Sequence, residues 1–231
     1  MTLDRTLLNA QLRCESITRR LITARKGGEA MLRYGAFITY LASVRELTRG
    51  SSREDGEILG FNVARIERFD SPLRLPQLMT FARAVGIRPS DLLSRVEVEE
   101  LPPIRQSTML SRPLPDVDVA AARIIFACLQ RMSAISLTQH KLPDFTGMDR
   151  DLLYRMFQPP SGKPIRSEGA EPTEKRRHHN GKIVGASNGL QNRPIIQIDC
   201  LMLALGLDLA AVLREPTPGE IAPLPGNTNE L

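Results

Sequence analysis

Leu7, Leu8, Leu12, Ile17, Leu21 and Ile22 recur at roughly helical spacing with Arg and Glu between them, which predicts an amphipathic helix over 3–25. Gly27 and Gly28 are expected to end it. A helical stretch follows over about 34–98, broken by Gly50, Gly60, Pro72 and Gly86. At Glu97-Val98-Glu99-Glu100-Leu101-Pro102-Pro103 the pattern changes, and Pro113 and Pro115 follow. Acidic residues with prolines do not build a packed core, so 99–115 reads as a linker. A second helical stretch covers 116–215, interrupted at 158–192 by Pro, Gly, Ser and charge. The tail 216–231, rich in Pro, Gly and Asn, reads as disordered. The expected organisation is an N-terminal helix within 1–33 and helical domains at 34–98 and 116–215, the second carrying a basic insertion at 158–192.

Composition narrows this pattern. Aromatics are 4% and Trp is absent, so the core must be aliphatic, which suits small helical domains better than β-sandwiches. The net charge of +5 and the excess of Arg over Lys are compatible with nucleic acid, although a GC-rich genome also produces Arg. Cys14, Cys128 and Cys200 are odd in number and lack metal-ligand spacing, so neither a disulfide framework nor a metal site is expected. Cys128 and Cys200 fall in apolar helices and read as core thiols. The charged N-terminus is no signal peptide and no apolar run has membrane-spanning length, so a cytoplasmic protein is expected, with no membrane partner.

The two helical stretches repeat one another. Leu47-Thr48-Arg49 is matched ninety residues later by Leu137-Thr138-Gln139, each opening a helical segment. The same offset lays Val63, Arg65 and Ile66 over Leu153, Arg155 and Met156. Further on the offset becomes 120, with Gln77 to Ile87 lying over Gln197 to Leu207 and Asp91-Leu92-Leu93 over Ala211-Val212-Leu213. The second copy thus carries an insertion, and the irregular stretch near 161–190 has the required size.

These segments resemble the Cro/CI (XRE) family of helix-turn-helix proteins. In the second copy Leu137-Thr138-Gln139-His140-Lys141-Leu142-Pro143-Asp144-Phe145-Thr146-Gly147 resembles the family's second helix and its turn glycine. Met148 to Met156 resembles the recognition helix. In the first copy Val63-Ala64-Arg65-Ile66-Glu67-Arg68 resembles the end of helix three, and Pro72 to Leu93 resembles helices four and five. Departures exist: Glu57 stands where an ungapped alignment wants the turn glycine, Gly60 being the alternative, and Pro143 and Phe157 replace the family's Ala and Glu. The resemblance implies an all-α fold of two tandem five-helix, lambda-repressor-like domains. It also implies a sequence-specific, nucleoid-associated transcriptional regulator, activator or repressor, of bacterial or phage type, with double-stranded DNA as partner. No cofactor and no enzymatic activity are expected.

A recognition helix buries one face against helix two and offers the other to base edges. With Val63 and Ile66 inward, Asn62, Arg65 and Arg68 face solvent; with Leu152, Leu153 and Met156 inward, Arg150, Tyr154 and Arg155 do. Asp149 is the expected N-cap. Arg49, Thr138 and Gln139, at the start of helix two, are candidates for phosphate contact. The insertion carries Lys175, Arg176 and Arg177, read either as a basic clamp on the DNA backbone or as a solvated loop. His178-His179 lacks further ligands at metal spacing. No phosphate-cradling glycine motif, GxSxG or HExxH occurs. The rival function is an interaction protein in which the fold binds RNA polymerase, a sigma factor or another regulator, the second copy being the better candidate. An enzyme or a nuclease accessory domain ranks far below it, for want of a site. A second copy of the chain is a further candidate partner.

Overall fold

The computed structural model describes residues 21–101, 104, 117–158, 189–190 and 193–214. It is all-α; among the described residues no strand occurs, and none of their helices is long and apolar enough to cross a membrane. Ten helices are described among these residues, five before and five after the 99–115 segment. The first five are α1 (Gly27–Leu47), α2 (Ser52–Leu59), α3 (Val63–Glu67), α4 (Leu75–Val85) and α5 (Pro89–Ser94). The second five are α6 (Val117–Ala134), α7 (Leu142–Thr146), α8 (Arg150–Phe157), α9 (Ile195–Ala204) and α10 (Leu209–Leu213).

Gly27 and Gly28 begin a helix rather than end one. The chain turns between Leu21 and Lys26, and the Leu21 carbonyl approaches Gly27 so closely that a Cβ there would lie 1.8 Å from it. The glycine is needed because two backbones meet, and the first half's opening helix starts at 27, ahead of the expected boundary at 34. Residues 3–20 of the expected N-terminal helix lie outside the described residues.

The two halves share their turn geometry at fixed intervals. Arg49 and Ser136, left-handed residues after α1 and α6, are 87 residues apart. The same interval separates Gly60 from Gly147, which close α2 and α7 in the left-handed conformation. It also separates Asn62 from Asp149, whose side chains cap α3 and α8. From there the interval is 120: α4 and α9 start at Leu75 and Ile195, α5 and α10 at Pro89 and Leu209, and left-handed Gly86 and Gly206 follow α4 and α9.

The expected offset of ninety therefore holds only on the inner face of the third helix, where Val63, Ile66, Leu153 and Met156 are all buried. Before that it is three residues too long. The structure takes the alternative turn, Gly60, and α3 runs five residues where α8 runs eight. Leu47 closes α1 instead of opening the next helix.

The expectation that each half closes a core of its own is not met. Buried apolar residues of both halves form one cluster, running from Leu21, Ile38 and Leu78 to Ile124, Met156 and Leu201. Helix α1 packs on α9 of the other half, and α6 packs on α4. Helices α5 and α10 lie against each other. Between the halves Arg74 and Pro194 form an isolated antiparallel bridge, with Ile195 N–H donating to Leu73 O at 2.8 Å. The acidic, proline-rich segment also contributes: Ile104 is buried and Leu101 packs on the cluster, because these are apolar residues among polar neighbours. Leu190, expected in an insertion outside the core, is fully buried.

One carboxylate, Asp199, is buried at this junction. Arg33 on α1 lies 3.4 Å from the Asp199 carboxylate on α9 and 2.9 Å from Asp208, which caps α10. Burial pushes Asp199 up to about 6, against the pull of Arg33 and with the help of the Asp208 and Glu29 charges. For Arg33 burial works against the charge, but the Asp208 hydrogen bond and the two aspartates outweigh it and hold the pKa above its ordinary value. Both expected core thiols, Cys128 and Cys200, are buried, and burial pushes each up to about 12.

Candidate nucleic-acid interface

Each half presents a short helix, a left-handed glycine and a second capped helix. In the first half Ser51 caps α2, its hydroxyl accepting from the Glu54 N–H, while Glu54 reaches back to the Ser51 N–H at 3.2 Å. This reciprocal pair satisfies two donors that the helix leaves open. It is visible in the sequence as Ser51-Ser52-Arg53-Glu54, and it is the signal that would have placed helix two correctly. Asn62 caps α3 by accepting from the Arg65 N–H at 2.9 Å.

In the second half Thr138 and Gln139 do not lie in the helix. They form turns, with Lys141 N–H donating to Thr138 O and Leu142 N–H to Gln139 O. Pro143 has no N–H to continue that ladder backwards, so α7 starts at Leu142 with the proline in its first turn. The expected cap of α8 is found: the Asp149 carboxylate accepts from the Leu152 N–H at 2.8 Å.

The third helices are aimed by their buried sides. Val63 and Ile66 anchor α3, and Leu152, Leu153 and Met156 anchor α8. Asn62, Arg65 and Arg68 are exposed on the first, and Arg150, Tyr154 and Arg155 on the second, with Tyr154 68% exposed. Arg68 pairs with Asp70 at 3.2 Å, and Arg150 lies 3.3 Å from His140 Nδ1 across the turn. Because Asn62 Oδ1 is occupied by the cap, its amide N–H groups are the free part of that side chain. Arg49 is exposed in the turn after α1, not on helix two. Thr138 and Gln139 are exposed as well, beside exposed His140 and Lys141. Lys175, Arg176, Arg177 and the two adjacent histidines lie outside the described residues.

How the two units are held differs. In the first, buried Arg45 on α1 donates to Glu67 on α3 and, at 3.0 Å, to Gly50 O. Ser52 donates to the other Glu67 oxygen at 3.1 Å. Buried Asp55 on α2 lies 3.9 Å from Arg45, and its pKa is raised, burial outweighing that neighbour. At the intervals given above, Arg45, Asp55 and Glu67 correspond to Met132, Leu142 and Phe157, apolar residues of the shared cluster. One unit is tied by ions and the other by apolar packing.

The chain ahead of α1 crosses to the second unit. Arg25 N–H donates to Thr146 O at 2.9 Å, and the Arg25 guanidinium lies over the Phe145 ring, 5.8 Å from its centre. Gly147, with φ +69°, lies under Thr23, whose carbonyl would be 2.7 Å from an added Cβ. Arg25 joins the exposed cations of the second unit from 120 residues away, which no local pattern could signal. No family model, curated protein or solved structure matches the chain.

Proposed function

We propose that the chain is a sequence-specific double-stranded DNA-binding regulator of Cro/CI-like type, built from two tandem five-helix units that share one core. The observation that carries this reading is the twice-repeated geometry of helix, left-handed glycine and side-chain-capped helix. In both copies the last helix is anchored by buried aliphatics and turns Arg with Asn or Tyr to solvent. A guanidinium held on a rigid helix can pair with guanine in the major groove, and exposed polar groups ahead of helix two can meet phosphate. Arg65 is a base reader in this scheme, Arg49, Thr138 and Gln139 are backbone contacts, and Lys175-Arg176-Arg177 is a backbone clamp.

The test is binding-site selection followed by titration at two salt concentrations. Arg65→Ala is expected to cost about 1–3 kcal/mol on the selected site and to relax one position. Log K is expected to fall with log salt by roughly 0.9 per neutralised phosphate. Absence of any salt-dependent DNA binding would favour the second reading, a partner-protein module for RNA polymerase or another regulator. That reading draws on the outer face of α6, where Val119, Phe126 and Leu129 are exposed.

A further inference from the structure

The way the halves meet is that of a symmetric dimer made within one chain. In a two-fold interface the same patch is used twice: element i of one partner touches j of the other, and j touches i. Here α1 touches α9 while α6 touches α4, and the members of each pair correspond between the halves. Helix α5 touches α10, its own counterpart. Arg74 and Pro194, each immediately before the fourth helix of its half, pair antiparallel. Three separate contacts thus follow the partner exchange that one local two-fold axis would produce.

We infer that a single chain reads one imperfect inverted repeat, doing alone what two identical subunits do on a palindrome; this rests on the DNA-binding reading. Two readers related by a two-fold axis meet opposite strands of a duplex in opposite directions, so their target halves must be inverted, not tandem. The continuous core and the chain connection keep the readers in that relation at any protein concentration. The readers differ, Asn62, Arg65 and Arg68 on one and Arg150, Tyr154 and Arg155 on the other. The two half-sites therefore differ in sequence, and the protein has one orientation on its site. Because α5 and α10 cover each other, that surface is not available to a second chain.

The experiment uses the full chain, a randomised duplex pool for selection, and native mass spectrometry of the complex with the selected duplex. The expected result is a two-part motif in inverted order with one chain per duplex. Arg65→Ala should erase preference in one half and Arg155→Ala in the other, each weakening binding about ten-fold. Turning one half-site around, to make a direct repeat, should weaken wild-type binding at least as much. Two chains per duplex, a preference for the direct repeat, or both substitutions acting on the same half would overturn the inference while leaving DNA binding intact. If no duplex is enriched even at low salt, the DNA-binding reading falls and takes the inference with it.

Discussion

Gln77 and Gln197 occupy the same place, third in helices that correspond, and only one has its partner. The Gln77 side-chain oxygen accepts from the Arg74 N–H at 2.8 Å. Pro194 stands where Arg74 does and has no N–H to give, so the Gln197 oxygen is buried without a hydrogen bond. An orphaned acceptor costs free energy, and removing it should recover some. Gln197→Met is expected to raise stability by about 1 kcal/mol in urea titration; a loss would mean that the amide has a role the fold does not reveal. Gly147 shows the opposite constraint, a left-handed backbone under the Thr23 carbonyl. Gly147→Ala should cost about 2 kcal/mol or more in the same assay, combining left-handed strain with displacement of the crossing segment.

At the scale of elements, the contrast between the two units is a contrast in what locks the third helix. Arg45, Asp55 and Glu67 tie α1, α2 and α3 together through charge withdrawn from water. Removing Glu67 takes from Arg45 its nearest partner but leaves it Asp55 and Gly50 O, so Glu67→Ala should destabilise by about 1–3 kcal/mol, the worth of a hydrogen bond to a charged group. Desolvation makes such clusters poor sources of net stability, and the second unit holds its corresponding helix with Met132, Leu142 and Phe157. The triple replacement Arg45→Met, Asp55→Leu and Glu67→Phe is therefore expected to fold and to be at least as stable as the parent. A triple variant less stable than Glu67→Ala would show that the ions do more than fill the space.

Across the whole molecule the junction carries a titrating carboxylate. Asp199 is raised to about 6 by burial, above the ordinary unfolded value near 4. The folded state thus prefers its protonated form. The stability this group contributes is complete below about pH 4, declines as pH rises toward 6 and is constant beyond. The loss across that window is on the order of 2–3 kcal/mol. Asp199→Asn should lack it, so the stability difference between variant and parent should move in the variant's favour between pH 4 and pH 7. Parallel profiles would show that water reaches the carboxylate. Because the core is continuous across this junction, calorimetry should record a single transition for both halves.

Helical periodicity, the absence of alternating segments and the repeat of Gly86-Ile87 in Gly206-Leu207 were legible because they are local properties of the chain. So were the Asp149 cap and the inward faces of the third helices, since apolar spacing on a short helix leaves little choice. The register of the first unit was misjudged because Leu47-Thr48 imitates Leu137-Thr138, and only the left-handed turn at Gly60 separates the alternatives. Gly27 reads as a helix stop until the Leu21 carbonyl is seen pressing on it. The sequence by itself determined the helical class and the inward faces of the third helices, because these follow from neighbours a few positions away; it did not determine that Ile104 and Leu190 are buried. Tertiary structure alone decided that the halves share one core, with corresponding helices exchanging partners across it, and that Arg25 reaches Phe145. Contacts between residues over a hundred positions apart depend on complementary surfaces, and such complementarity leaves no periodic trace in the chain.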